Sequence, residues 1–358
     1  MFLSLKNEVI SMKKRLFLFV LLFIFSILAT GCQMTPQQKL ISTGPNFFLN
    51  SVLDVKILDE GADVEKISEE IMKKVQSLEN LLTSKDSASE ISEINENAGI
   101  SPIIVSDETF LVISEGIKYS KISSGSFDIT VGPLANLWSI GNEDARLPSQ
   151  DELNETLLLI GYDKVVLDKD KKSVYLTEKD MALDVGAIAK GYVTDEINSI
   201  LEKHQVKSAI INLGGNIYAR GNKNGTPFSV GIQNPYSDHG DYLGIYKGSD
   251  FSMVTSGNYE RYFEQAGKKY HHILSTKDGY PVENEIAAVT IISKNSMMAD
   301  ALSTSVFTLG IEKGFELVDS LPYSDAIVIT KDKKLILSRK MADSFELTSP
   351  DFTIEYRN

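Results

Sequence analysis

The sequence predicts an α+β fold in a single compact body of mixed or antiparallel strands with packed helices. Three observations carry this. Amphipathic helical spacing fills much of the region before residue 160, and short strands bounded by Gly, Asn or Asp dominate after it. The later helices fall between those strands without the regular βαβ alternation of a parallel sheet. No internal repeat, low-complexity tract or linker divides the body.

Residues 49–58 alternate well enough for a strand. Ile67, Ile71, Val75, Leu78 and Leu82 share one helical face, which predicts a helix over residues 64–82. A polar connection with a weak helix follows at 84–97. Residues 107–123 form a second amphipathic helix, with Asp107 as its N-cap and Gly125 just past its end. Strands are expected at 164–167, 173–176, 208–212, 228–232 and 287–292, and helices at 187–204 and 297–309.

The N-terminus carries an address. Met12-Lys-Lys-Arg15 is a positive segment, residues 16–28 are apolar apart from Ser26, and Ala29-Thr-Gly-Cys32 supplies small residues and the sole cysteine. A spanning helix needs about 20 apolar residues, so this run suits a signal peptide better. Cys32 stands where a bacterial lipobox places its cysteine, with Ala29 at the usual Leu position. Residues 1–31 are therefore expected to be a cleaved lipoprotein signal, with Met12 as an alternative start. Residues 32–47 are then a lipidated N-terminus and tether, and 48–358 the body. More than one acyl chain at Cys32 would give lasting attachment to the outer face of the cell membrane. With one cysteine, the chain has no internal disulfide.

The formal net charge is −13. Such a surface repels phosphate backbones and argues against nucleic acid as a partner. An anionic substrate would need a cation or backbone amides to receive it.

Several runs carry chemistry. Tyr270-His-His-Ile-Leu274 places two of the four histidines side by side, after a polar loop at Ser256-Gly-Asn-Tyr-Glu-Arg-Tyr-Phe263. A histidine there is a proton shuttle or an ordinary strand residue. Leu183-Asp-Val-Gly-Ala-Ile-Ala-Lys-Gly-Tyr192 puts small residues and Lys190 at a strand-to-helix turn, which can hold a phosphate or simply pack tightly. Asn212-Leu-Gly-Gly-Asn216 is a turn that admits close approach of a ligand. In Met297-Met-Ala-Asp-Ala-Leu-Ser-Thr-Ser305, Asp300 and Thr304 are four apart on a helix and face the same way. A carboxylate and a hydroxyl so placed suit Mg²⁺, or a helix-terminal Asp beside a core Thr. Phe127-Asp-Ile-Thr-Val-Gly-Pro-Leu134 precedes Trp138, the sole tryptophan, which reads as core.

In order and spacing these runs together resemble the ApbE family, the FAD:protein FMN transferases, over residues 49–345. The resemblance implies a T-fold-related body that binds FAD as substrate with Mg²⁺ and moves FMN to a Thr or Ser hydroxyl of an acceptor protein. AMP leaves, and the acceptors are electron-transfer proteins. Position by position, it implies Asp300 and Thr304 as metal ligands, with the backbone carbonyl of Ala187 (or Gly186) as a third. It implies His272 as the base. Asp184, Lys190, Gly214 and Gly215 would line the FAD site, with Asn258, Tyr259 and Arg261 on the flavin or acceptor side. Two positions depart from the family pattern. Ser275 stands where an Asp is usual, with Asp278 nearby, and Leu49-Asn50-Ser51 replaces a Met-Gly-Thr run. A Mg²⁺-dependent FAD pyrophosphatase and a flavin-binding lipoprotein without catalysis are the alternative readings.

Overall fold

The computed structural model describes residues 39–42, 51–237 and 240–357. The expected signal peptide and Cys32 lie outside them. Part of the stretch read as a tether is ordered into a strand, β1 (Lys39–Ser42), paired antiparallel with β2 (Leu53–Ile57).

These two strands begin a nine-stranded sheet. It continues through β6 (Ala209–Leu213), β7 (Asn216–Arg220), β10 (Phe251–Gly257), β13 (Ile286–Ser293), β14 (Ser324–Thr330), β15 (Lys334–Ser338) and β17 (Thr353–Arg357). All neighbours are antiparallel except β15 and β17. Two small sheets flank it: β3 (Ile103–Ile104), β5 (Ser173–Leu176) and β4 (Val165–Asp168), then β16 (Phe345–Leu347), β9 (Tyr242–Gly248) and β8 (Phe228–Gln233). A separate hairpin joins β11 (Tyr262–Gln265) to β12 (Lys268–His271). The described helices are α1 (Val64–Leu82), α2 (Glu90–Glu96), α3 (Asp107–Ile122), α4 (Gly132–Trp138), α5 (Gln150–Leu157), α6 (Gly186–Lys203), α7 (Ser296–Leu309) and α8 (Ile311–Asp319).

The large sheet is packed on both faces. On one, the apolar stripe of α1 joins Ile197 and Leu201 of α6, Leu302 and Val306 of α7, and Val55, Ile211, Val289 and Ile291 of the sheet. On the other, Met253, Ala288, Ile292, Ile327 and Ile329 meet Phe228, Val230, Leu243 and Phe345 of the small sheet. A strand covered on both faces has no polar side to show, so β13 is buried at every position and is apolar apart from Thr290 and Ser293.

Trp138 is core, as expected, and fully buried. Its indole N–H donates to the Gly279 carbonyl at 2.7 Å, and its ring lies 5.5 Å from Tyr270. Tyr270 stacks on Phe263 at 5.3 Å. This aromatic cluster seats the β11–β12 hairpin on α4 and α5. One capping expectation is corrected. The N-cap of α3 is Ser106, whose hydroxyl accepts from the Thr109 amide at 3.2 Å, and Asp107 is a first-turn residue. The cap must be extended while its side chain turns back onto the helix, and Ser106 has that backbone (φ −61°, ψ 163°).

Candidate active site

The site grows from the contact between α6 and α7. Gly191 lets the two helices touch, because a Cβ there would sit 2.3 Å from the Ser296 carbonyl oxygen. That closeness brings the Gly191 amide to Asp300 Oδ2 at 2.8 Å. In a regular helix this amide goes to the carbonyl four residues earlier, that of Ala187, so Asp300 competes for the donor that would satisfy it. A second carboxylate works in the opposite direction. Asp195 of α6 accepts from the Ser296 and Met297 amides of α7 at 2.8 and 2.9 Å. Burial pushes the Asp195 carboxyl up to about 6. The three carboxylate–amide hydrogen bonds fix the register of α7 on α6.

Asp300 is only 3% exposed, and burial pushes its carboxyl up from the ordinary range. The cation near it is Lys190, whose Nζ lies 3.9 Å from Asp300 Oδ1 and donates to the Gly186 carbonyl at 3.1 Å. An ammonium group thus already rests between a carbonyl and a carboxylate. One turn on, Thr304 Oγ1 lies 3.3 Å from Ser256 Oγ at the end of β10, and Ser256 bonds Ser303 Oγ at 2.7 Å. Sequence reasoning gave Ser256 and Ser303 no role.

These donors fit a hard divalent cation. They supply one anionic oxygen, hydroxyl oxygens and a helix-start carbonyl, all oxygen and few in number, which suits an ion that keeps waters and takes substrate phosphate. Among the described residues no three His, Cys, Asp or Glu side chains converge. A set containing one carboxylate could not form such a group. Of the two carbonyls considered from sequence, Gly186 is the one already in contact with a cation, and Ala187 is the one whose amide partner is contested.

His272 follows β12 directly. Its amide and its Nδ1 both lie close to the Arg261 carbonyl, at 3.1 and 3.2 Å. A carbonyl only accepts, so Nδ1 carries the proton and Nε2 is left as the acceptor. Burial, then the charge of Arg261, hold the imidazole down to about 3, and Lys190 adds to the effect. His272 is therefore neutral at physiological pH and within electrostatic reach of the lysine that touches Asp300.

His271 has a different environment. It is buried, its Nε2–H donates to the Val282 carbonyl at 3.1 Å, and Nδ1 has no partner. Burial holds its imidazole down to about 4.

Asp184 sits at the start of α6, where Oδ1 accepts from the Gly186 amide at 2.8 Å, so one helix-start amide is already engaged. Gly214 and Gly215 form the β6–β7 turn at φ +57° and +86°, and a Cβ on Gly214 would meet Ser51 Oγ at 2.3 Å. The β7–β10 register places Ile217 opposite Met253, which aims this turn toward the end of β10 that holds Ser256. Asn258 donates its amide to the Ala287 carbonyl at 3.2 Å. Tyr259 packs against Gly257 and the second core, and burial raises its hydroxyl. The Arg261 side chain lies near Gly141, where an added Cβ would sit 3.5 Å from its Cδ. The Phe127–Leu134 run is scaffold, with Asp128 accepting from the Thr130 and Tyr162 amides at 2.9 Å each.

The ApbE family model matches residues 49–328. The chain belongs to the ApbE family. It is 38% identical over 274 residues to the FAD:protein FMN transferase of Klebsiella pneumoniae strain 342, covering 76% of this chain and 85% of that one. It is 33% identical over 308 residues to the FAD:protein FMN transferase of Treponema pallidum strain Nichols, covering 82% and 85%. The crystal structure of the ApbE protein of Thermotoga maritima superposes with a TM-score of 0.78 at 28% identity, covering 86% of this chain and 99% of the other.

The structure answers one departure from the ApbE pattern. Ser275 replaces the usual Asp, and Asp278 Oδ1 accepts from the Tyr280 amide within its own turn. The Arg261 carbonyl orients His272 instead, and a main-chain group does not depend on the side chain at 275.

The paired histidines also set an acid limit on stability. His271 takes a proton near 6.5 when unfolded but only near 4 when folded. Between those values the unfolded chain binds more protons, so stability falls as pH drops from 6.5 toward 4. The slope from this residue approaches ~1.4 kcal/mol per pH unit, and His272 acts in the same direction. Urea unfolding at pH 7 and pH 5 should show the loss, and His271→Gln should shrink it. An unchanged pH difference in that variant would disprove the assignment.

Proposed function

We propose that this protein transfers FMN from FAD to a Thr or Ser hydroxyl of an acceptor protein in a Mg²⁺-dependent reaction. The observation that carries this is a buried carboxylate and a lysine held at one contact between two helices, with a neutral, oriented histidine within electrostatic reach of that lysine. The membership of the ApbE family and the activity for which its relatives are named support the same reading.

His272 Nε2 takes the proton of the acceptor hydroxyl as its oxygen attacks the FMN-side phosphorus. A new P–O bond forms, the bond from that phosphorus to the bridging oxygen breaks, and AMP leaves with that oxygen. Nearly all of the help such a transfer needs is positioning and charge neutralisation. Asp300, Thr304 and the Gly186 or Ala187 carbonyl would hold the metal, which when bound neutralises pyrophosphate charge inside an acidic protein. Lys190 adds a tethered positive charge at the same place. Asp184, Gly214 and Gly215 shape the mouth from the helix start and the turn, and Arg261 holds the base.

The deciding experiment is the intact mass of candidate acceptors after incubation with the protein, FAD and Mg²⁺, with AMP followed in parallel. A mass gain of one FMN moiety that disappears without metal is the expected result. AMP release with no gain on any acceptor would mean hydrolysis by water, and bound FAD with neither signal would mean a binding protein.

The reading extends to location. The body is held at the outer face of the cell membrane by lipid on Cys32, where it serves electron-transfer proteins. Cys32→Ala should move the protein from the membrane to the soluble fraction and spare activity in vitro. An unchanged membrane fraction would refute the anchor.

A further inference from the structure

The β11–β12 hairpin is a two-stranded sheet by itself, and among the described residues no strand pairs with the outer edge of β12. That edge is the strand that ends at the base. The ladder shows which main-chain groups it offers. The His272 amide donates inward to Arg261, and alternate residues of an antiparallel strand point their N–H and C=O groups to opposite sides. Lys269 and His271 therefore direct their main-chain groups outward. Just past His272 the outward side is occupied, since the Val282 amide donates to the Ile273 carbonyl at 3.0 Å and Ser275 bonds Tyr280. Before His272, a cavity of about 540 Å³ lies between β12 and residues 280–284, crossed by the side chains of His271, bonded to the Val282 carbonyl, and Lys268, paired with Glu283.

The cavity wall is basic. Lys268, Lys269 and Lys331 line it, and the acidic side chain on it, Glu283, is paired with Lys268 at 2.5 Å. The Lys269 Nζ lies 3.5 Å over the ring of Tyr262, on the neighbouring strand β11. Local positive charge in a chain of net −13 selects for an acidic partner.

We propose that this edge receives the acceptor. An extended, acidic segment of the acceptor protein adds as a strand to β12 through the outward groups of Lys269 and His271. Its hydroxyl residue is thereby delivered to His272, one residue further along. Main-chain hydrogen bonds supply the affinity, and the lysines select acidic flanks. This rests on the transferase reading above and names how its second substrate binds.

Lys269→Pro tests it directly. Proline removes the outward N–H while the inward ladder to β11 keeps its bonds, and Lys269→Ala controls for the lost side chain. The probes are short synthetic peptides, each with one central threonine and flanks rich in aspartate, alanine or lysine, assayed for mass gain and AMP with FAD and Mg²⁺. With wild-type protein the aspartate-flanked peptide should be the best acceptor. Lys269→Pro should raise its KM by roughly tenfold, the worth of about one hydrogen bond, with FAD affinity unchanged and Lys269→Ala affected far less. Lys331→Glu, on a separate turn, should weaken the aspartate-flanked peptide and leave the alanine-flanked one unaffected, which keeps the test valid if the proline variant misfolds. An unchanged KM in Lys269→Pro, or no flank preference in the wild type, would overturn the proposal. AMP release with no mass gain on any peptide would also overturn it, whereas no AMP release at all would overturn the transferase reading beneath it.

Discussion

Asp300→Asn should lower metal-dependent turnover by about three orders of magnitude, equivalent to about 4 kcal/mol of transition-state stabilisation. Asp300 is the one carboxylate in the oxygen set, so its charge has no substitute there. The amide retains an acceptor for the Gly191 N–H, and the contact between α6 and α7 therefore survives. Asp300→Ala should be equally inactive, but it strands that buried N–H and costs stability of about 1–3 kcal/mol. The pair of variants separates charge from scaffolding. AMP release across a Mg²⁺ titration, with thermal melts alongside, makes the comparison. Normal turnover in the Asn variant would remove Asp300 from the metal site.

The second large effect is expected at the paired histidines. His272→Ala should slow flavin transfer by about 10²- to 10⁴-fold, the usual worth of a positioned general base. His271→Ala should act mainly through stability, because its Nε2 is committed to Val282. Equal loss in both variants would mean that the base is misassigned. The pH profile adds an independent check. In the proposed role His272 acts unprotonated, and burial holds its ring down to about 3. The acid limb of kcat/KM should therefore show no histidine inflection between pH 5 and pH 8. A clear inflection near 6.5 would show that the ring is solvated and unshifted.

Much of the scaffold was legible because it follows simple periodicities. The helix read from Ile67, Ile71, Val75, Leu78 and Leu82 spans the residues expected, and those five are the ones it buries. The strand expected at 173–176 has those bounds, and the apolar run at 287–292 lies within β13. What escaped was polar structure with distant partners. β10 reads Phe-Ser-Met-Val-Thr-Ser-Gly, with no apolar alternation, because its serines are turned onto α7. Ser252 bonds Ser296 at 2.9 Å and Ser256 bonds Ser303 at 2.7 Å, across more than forty residues of chain. A hydroxyl placed to meet another helix looks, in one dimension, like a loop residue. The same holds for Asp195, whose two amide partners lie about a hundred residues away. Asp300 and Thr304 stand out by their helical spacing and His272 by the histidine pair, but each alone has an ordinary structural explanation, and it is the resemblance that implies their roles.

Lys190 sits where an incoming ion would be most welcome, tied to the protein by its own side chain. In effect it is an internal competitor. At the proposed metal site a free divalent cation would have to displace it from Asp300 and Gly186, so the ion would bind weakly while the ammonium had nowhere better to go. A pyrophosphate offers the lysine that alternative. Nucleotide and ion should then assist each other, and linkage requires the assistance to be equal in both directions. Calorimetric titration of Mg²⁺ with and without FAD would measure the coupling, and Lys190→Met should abolish most of it by leaving the ion unopposed from the start. If the coupling is as proposed, loading of the site would wait for the nucleotide rather than for the ion.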